Sequence, residues 1–343
     1  MEKQILESAI PNTATQSDLV STILPGLQSC PKYVPHWYVY DKLGSELFDR
    51  VTNENPHYHL YRVETSLLKE HTGSIIRNFD ESSIFAELGA GNSSKMHSLI
   101  EAMLEKEGSL RFIPIDIAKE FLEESAKTLN EKFPSLNLQP FVGDYVDGME
   151  YVKSLQGPKL FIFLGSSFSN IPMAQMLPFL QTVRNTLKGN RDRFLIGLDI
   201  TREPEIVEEM YGHFTFADFN RNVLTRLNKD FRANFMQENF EHYANYHKNN
   251  DKDTKGLMVE DPEYIELGFR SKHRHTVSLD SVGTKIAFQE DEIFYTHVPG
   301  NMSMKWDWQQ FEKLANLAGL VTDQLWTDPG NKFALGLLKA DSK

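Results

Sequence analysis

Cysteine is almost missing from this sequence: Cys30 is the only one in 343 residues. One thiol cannot close an internal disulfide or build a cysteine metal cluster. Long apolar runs are missing too. No stretch reaches the ~18 apolar residues that cross a membrane. The segment Met1-Glu2-Lys3-Gln4-Ile5-Leu6-Glu7 has neither the basic nor the apolar region of a signal peptide. Basic residues are in deficit, with 36 Lys and Arg against 48 Asp and Glu, a net charge of −12. A nucleic-acid backbone is bound by a basic stripe, so this balance argues against such a partner. Zinc patterns are missing as well. His242, His247, His273 and His275 crowd one region, but none forms an i, i+4 pair with a nearby carboxylate in a recognised zinc arrangement. No internal repeat is found. The expectation is a cytoplasmic monomer without membrane, nucleic-acid or metal partner, long enough for two domains or for one with a large insert.

What is present centres on Phe85-Ala86-Glu87-Leu88-Gly89-Ala90-Gly91-Asn92-Ser93-Ser94-Lys95. Ser83, Ile84, Phe85 and Ala86 make the short apolar run of a strand covered on both faces. Gly89 and Gly91 let the backbone turn tightly and approach a ligand. Asn92, Ser93 and Ser94 are helix N-cap types. The turn has neither phosphate-binding form, G-x-G-x-x-G or G-x-x-x-x-G-K-[ST]. It has instead the E-x-G-x-G form of proteins that bind S-adenosylmethionine (SAM), a cofactor without phosphate. An ordinary tight turn between strand and helix is the alternative. A second strand at 110–116 ends in Asp116, ~20–25 residues on, where a doubly wound sheet carries its ribose-binding acid. A third, at 138–145, ends in Asp144 and Tyr145, an acid for the adenine amino group and an aromatic to pack on the ring. Each Asp could otherwise be a helix N-cap.

A fourth strand at 159–164 leads into Gly165-Ser166-Ser167-Phe168-Ser169-Asn170, beside the crevice where a substrate must sit. Asn170 can meet an amine and a carboxylate at once; the alternative is a cap for a helix starting near Pro172. A fifth strand ends at Asp199. Residues 17–27 and 204–234 read as helical, 264–270, 273–278 and 285–288 as strands, 306–320 as a helix, and 324–328 with 333–338 as a closing hairpin. The fold expected is α/β, a Rossmann-like class I methyltransferase sheet with an N-terminal cover and an α+β insert forming a substrate domain. Its parts would be 1–62 (N-terminal part of the substrate domain), 63–200 (SAM-binding core), 201–302 (substrate-domain insert) and 303–343 (completion of the core).

Several motifs go beyond that general plan. They are Tyr40-Asp41-x-x-Gly44-Ser45-x-Leu47-Phe48, Glu87-Leu88-Gly89-x-Gly91, Phe112-Ile113-Pro114-x-Asp116, Phe163-Leu164-Gly165-Ser166, Phe219-Asn220-Arg221-Asn222 and Trp326-Thr327-Asp328-Pro329. Through them the chain, from about residue 31 to 338, resembles the SAM-dependent histidine Nα-methyltransferases of ergothioneine biosynthesis and their fungal relatives that methylate tryptophan. The resemblance implies SAM as cofactor, with S-adenosylhomocysteine as product, and an amino acid as substrate. It implies a cofactor site of Glu87, Gly89, Gly91, Lys95, Asp116, Asp144 and Tyr145. Asn170 and Tyr211 would hold the substrate carboxylate, Tyr58 and Tyr40 would line the amino-group side, and Ser303 would contact substrate.

The sequence departs from the family where side-chain choice is made. Asn301 stands where histidine-specific members have an acid, Leu267 gives a second pocket position an apolar residue, and His59 replaces a common Tyr. An amide pairs less well with an imidazole, and loss of the charge removes a desolvation penalty against an indole. The reading is therefore an L-tryptophan Nα-methyltransferase, possibly iterative. An L-histidine Nα-methyltransferase is the first alternative, and a non-catalytic SAM and amino-acid binder is one of another class. An insertion at Pro299-Gly300 could shift the register and bring His297 or Glu292 into the pocket. Methyl transfer needs a neutral amine held in line, and Tyr58, Tyr40 and Asn170 are the candidates for that work. The N/D-P-P-Y/F tetrapeptide of adenine-N6 enzymes does not occur.

Overall fold

The computed structural model describes residues 6–7, 16–248, 262–299 and 303–341. The N-terminal part holds β1 (Leu6–Glu7), α1 (Gln16–Gln28), β2 (Lys32–Tyr33), α2 (Lys42–Glu54) and α3 (Leu60–Ile75). Asp41 caps α2, accepting the Gly44 N–H at 2.8 Å. Along α3 the buried stripe Leu60, Glu64, Leu67, Leu68, Thr72 and Ile75 follows helical spacing, with one acid set into it.

The central unit alternates strand and helix. It runs β3 (Ile84–Leu88), α4 (His97–Glu107), β4 (Arg111–Asp116), α5 (Lys119–Lys132), β5 (Asn137–Leu138), β6 (Phe141–Val142), α6 (Tyr145–Ser154), β7 (Lys159–Phe163), α7 (Met173–Thr186) and β8 (Arg193–Asp199). Every residue of β3, β7 and β8 is buried, as parallel strands with helices on both faces require. The expected third strand is shorter than read. Pro140, which has no N–H to donate, separates β5 from β6, and Tyr145 opens α6 instead of ending a strand.

The helical run after β8 breaks at Gly212 into α8 (Pro204–Gly212) and α9 (Phe214–Phe231). Then follow β9 (Phe240–His247), β10 (Glu263–Ser271), β11 (His275–Leu279), β12 (Thr284–Phe288), β13 (Ile293–Tyr295), β14 (Met304–Lys305), α10 (Trp308–Leu317), β15 (Leu320–Thr327) and β16 (Phe333–Ala340). α10 begins later than read, because Asp307 forms a reciprocal capping box with Gln310 and leaves Trp306, fully buried, outside the helix.

The larger sheet has the order β1-β6-β4-β3-β7-β8-β16-β15, with β5 beside β4. Its strands are parallel except β16, which lies antiparallel to both β8 and β15. β4 lies on one side of β3 and β7 on the other, so the switch point falls at the carboxyl end of β3. The smaller sheet runs β14-β10-β13-β2, with β9 on β10. The sequence reading did not treat 240–247 as a strand, yet β9 pairs β10 over eight residues, from Tyr264↔His247 to Ser271↔Phe240. β2 joins this sheet against β13, so residues early in the chain help build the unit formed mainly by residues 240–305. β11 and β12 pair as a separate hairpin.

Candidate active site

A cavity of about 550 Å³ opens where β3, β4 and β7 end. It is roofed by Trp37, Tyr40, Phe48 and Tyr58 from the N-terminal part and by Phe216 and Phe219 of α9. These rings pack on one another, Phe48 against Phe219 at 5.2 Å and Tyr40 against Phe219 at 5.3 Å between centroids.

One end is built from the glycine turn. Gly89 has φ +68° and Gly91 φ +53°, backbone that L side chains avoid. A Cβ at Gly91 would meet nothing within 4 Å, and Gly91 lines the cavity. Asp116 ends β4, and its Oδ2 accepts the Gly91 N–H and its Oδ1 the Ala118 N–H, both at 2.9 Å. Burial pushes this carboxyl up, opposed by those N–H donors. Each oxygen still has a lone pair for a diol. Asp144 is an N-cap: its Oδ1 accepts from Val146 N and Asp147 N, both at 2.9 Å. It lines the cavity as well, as does Tyr145, whose ring lies edge-on to Phe163 at 5.0 Å. Asp144 is thus the cap of α6 and at the same time a residue of the cavity wall.

Glu87 is buried and accepts from Ser93 Oγ at 2.7 Å. Burial raises its carboxyl to about 8. Lys95 is held by Glu64 at 2.5 Å, and the same carboxylate accepts the Gly165 N–H on both oxygens at 2.9 Å. Tyr61 and Ser94 share a hydrogen bond of 2.7 Å, and Asn92 Nδ2 donates to Asp49 Oδ1 at 3.0 Å. α2 and α3 therefore fasten the glycine turn, and Glu64 ties it to the loop after β7. The sequence reading missed Glu64. Its signal was an acid at the centre of an apolar helix stripe, which an acid occupies only when paired.

At the other end Asn170 sits in a turn at Ser167–Asn170. It is not the cap of α7: Pro172 holds that position without a side-chain bond. Its Oδ1 accepts the Ser303 N–H at 3.1 Å, and among the described residues the two N–H donors of the amide meet no acceptor. Ser303 Oγ and Tyr211 Oη bond to each other. Lys305 Nζ donates to Tyr211 Oη at 3.1 Å, to Ser303 Oγ at 3.0 Å and to Asp199 Oδ2 at 2.5 Å. Lys305 and Asp199 are both fully buried. The sequence reading missed this pair too. Asp199 resembles Asp116 as an acid ending a strand, and nothing local marks Lys305.

Tyr58 and Tyr40 both line the cavity. Burial, then neighbouring tyrosines, hold both phenols above their usual range, so both are neutral hydrogen-bonding groups near pH 7. Leu267 departs from its expected place. It is 1% exposed and packed in the core, and it does not line the cavity. Its N–H donates to His297 Nε2 at 3.0 Å, and burial lowers that imidazole to about 3, which keeps it neutral. Neither His297 nor Glu292 lines the cavity; Glu292 pairs with Lys32 at 2.5 Å. Asn301 lies outside the described residues.

The residues present fit SAM. The open face of Gly91, the spare lone pairs of Asp116 and the aromatic Tyr145 lie along one wall, and the volume has room for a cofactor and a small substrate. With the doubly wound sheet, its antiparallel last pair and this site, the molecule is a class I SAM-dependent methyltransferase. Residues 19–340 match the family model described as histidine-specific, SAM-dependent methyltransferase, and the chain belongs to that family. It is 30% identical to a histidine N-alpha-methyltransferase of Mycolicibacterium smegmatis over 314 residues, 91% of this chain and 92% of that one. It is 27% identical to a histidine N-alpha-methyltransferase of Mycobacterium tuberculosis, with 92% of each chain covered. A 4-dimethylallyltryptophan N-methyltransferase of Claviceps purpurea is 25% identical over 63% of this chain and 65% of that one.

Two predictions arise at the cofactor end. Asp116→Ala should weaken SAM binding by about 10- to 100-fold, the worth of a hydrogen bond to a charged group, with an unchanged circular-dichroism spectrum. Calorimetry showing wild-type affinity would refute the assignment. Glu87, protonated for the most part at pH 7, should respond to the permanent charge of a sulfonium, because a nearby cation favours the ionised carboxylate. SAM binding at pH 7 should therefore release more proton than binding of uncharged-sulfur S-adenosylhomocysteine, and Glu87→Gln should abolish the difference. Calorimetry in buffers of different ionisation enthalpy counts the protons; equal release for the two ligands would overturn the expectation.

Proposed function

We propose that this enzyme methylates the α-amino group of L-histidine, with SAM supplying the methyl group. The tryptophan reading rested on Asn301 and Leu267. Leu267 packs in the core and is not among the cavity-lining residues, which withdraws one of those two supports, and the similarity over nine-tenths of the chain to histidine-methylating relatives carries the conclusion. The two histidine N-alpha-methyltransferases matched over nine-tenths of both chains support it, and the Claviceps relative, matched over a shorter span, supports tryptophan less.

In this reading residues 63–200 and 303–343 form the cofactor core, and residues 1–62 with 201–302 the substrate part. Asn170 Nδ2 and a hydroxyl of Tyr211 or Ser303 hold the carboxylate. Tyr58 and Tyr40 orient the amine as neutral phenols, and the aromatic roof excludes water from the line of transfer. Neither phenol is a standing base. The amine's proton must pass to water before transfer, and positioning supplies most of the acceleration.

The test is a competition between equal L-histidine and L-tryptophan, read by mass, which also counts the methyl groups added. Histidine should be consumed first. Preferential use of tryptophan would restore the original reading, and SAM binding without turnover of any amino acid would leave a non-catalytic binder.

A further inference from the structure

We infer that Lys305, fixed by Asp199, is a positioning residue that aims one hydroxyl hydrogen of the Tyr211–Ser303 pair into the cavity and so makes the enzyme demand a free α-carboxylate. The inference rests on the reading of this site as an α-amino-acid clamp. An ammonium has three donors and no acceptor. All three of Lys305 are engaged, by Asp199 Oδ2, Tyr211 Oη and Ser303 Oγ, so both hydroxyl oxygens accept from it. Between them the two hydroxyls have two hydrogens, and one makes their mutual bond. One hydrogen is left over, and both residues line the cavity. On the same wall Asn170 Oδ1 accepts the Ser303 N–H, which leaves that oxygen one lone pair beside the two N–H donors of the amide.

The wall thus offers three hydrogens, two from Asn170 and one hydroxyl, against two spare lone pairs, one on Asn170 Oδ1 and one on the hydroxyl that donates within the pair. Lys305 Nζ lies 4.8 Å from the centroid of the Tyr211 ring. Burial works against the ammonium, but Asp199 and Tyr211 outweigh it and hold its pKa above the ordinary lysine value, so the donor pattern is constant over the working range of pH. Such a wall suits a carboxylate. A carboxamide would bring one acceptor oxygen where the carboxylate brings two, so fewer of the wall's three hydrogens would be met, a mismatch that discriminates in a buried site.

The measurement is the ratio of kcat/KM for the acid to kcat/KM for its carboxamide, histidine against histidinamide, compared between variants so that the different amine pKa values of the two substrates cancel. Wild type should favour the acid. In Lys305→Met/Asp199→Asn, which removes both buried charges together, the ratio should fall at least tenfold, mainly through KM for the acid, with SAM affinity unchanged. A role confined to stability would lower the melting midpoint and leave the ratio as it was, and that result would overturn the inference. Tyr211→Phe and Ser303→Ala test the hydrogen count without touching the charges. Either alone leaves one hydroxyl bonded to Lys305 with its hydrogen free, so each should nearly keep the ratio, and only the double variant should lose it. Equal, additive losses from the two single variants would overturn the inference. Should a different amino acid prove to be the substrate, the histidine reading fails, and the ratio measured on that amino acid and its carboxamide still decides this one.

Discussion

Asn170→Ala is expected to lower kcat/KM for the amino acid by about 10²-fold, the scale of a misplacement of roughly 1 Å at a reacting centre, while SAM binds as before. Two bonds explain the expectation. The side-chain oxygen anchors the backbone N–H of Ser303, and in the proposed clamp the amide donors meet the substrate carboxylate. Alanine removes both, so the substrate loses a direct partner and Ser303 its fixed position. Helix capping does not enter, since α7 is capped at Pro172 without help from Asn170. Steady-state kinetics with calorimetric SAM titration separates the two affinities. Normal turnover would show that Asn170 only braces the Ser303 segment.

Asp199→Ala is expected to cost about 3–5 kcal/mol of stability, the usual penalty for stripping one partner from a buried pair. Lys305 would be left at zero exposure without its closest counter-charge, either charged and unpaired or neutralised by loss of its proton, and the Thr201 N–H would lose the Oδ1 that accepts it at 2.9 Å. The sign of the pH dependence follows from Lys305. Its folded pKa lies above 10.5, so its contribution is fully present below that value and is lost only as pH rises through the folded pKa. The wild-type contribution of Lys305 should therefore be constant between pH 6 and pH 9, whereas in Asp199→Ala burial lowers the lysine pKa without the opposition of that carboxylate, so the stability gap should be widest at low pH and narrow as pH rises. Urea unfolding at several pH values measures it. A gap below about 1 kcal/mol, the scale of a surface pair, would mean that water reaches the ammonium.

What the sequence disclosed is what is local in it. The strand, glycine turn and acid-ended strands around Gly89, Asp116 and Asp144 lie within 60 residues of one another, and each follows from residue type and spacing. β9 was hidden because 240–247 carries polar and aromatic residues without clean alternation. Leu267 was misplaced for a related reason. Period-2 alternation separates two faces of β10 but does not say which faces the cavity. The Lys305–Asp199 bond joins residues 106 apart, Glu64 reaches Gly165 across 101, and Tyr211 meets Ser303 across 92. Pairings over such distances leave no periodic trace, and only the lone acid in the α3 stripe hinted at one.

The position of β16 between β8 and β15 has a bearing on biosynthesis. β8 carries its antiparallel partner only when residues 333–338 have left the ribosome, some 130 residues after β8 itself. Until then one edge of β8, apolar from Phe194 to Leu198, has no partner. Unpaired strand edges of that kind promote association between nascent chains. A premature stop before residue 333 should accordingly yield insoluble protein even though the glycine turn, Asp116 and Asp144 are already translated. A tag or fusion partner should be placed after residue 341 and not within 333–340.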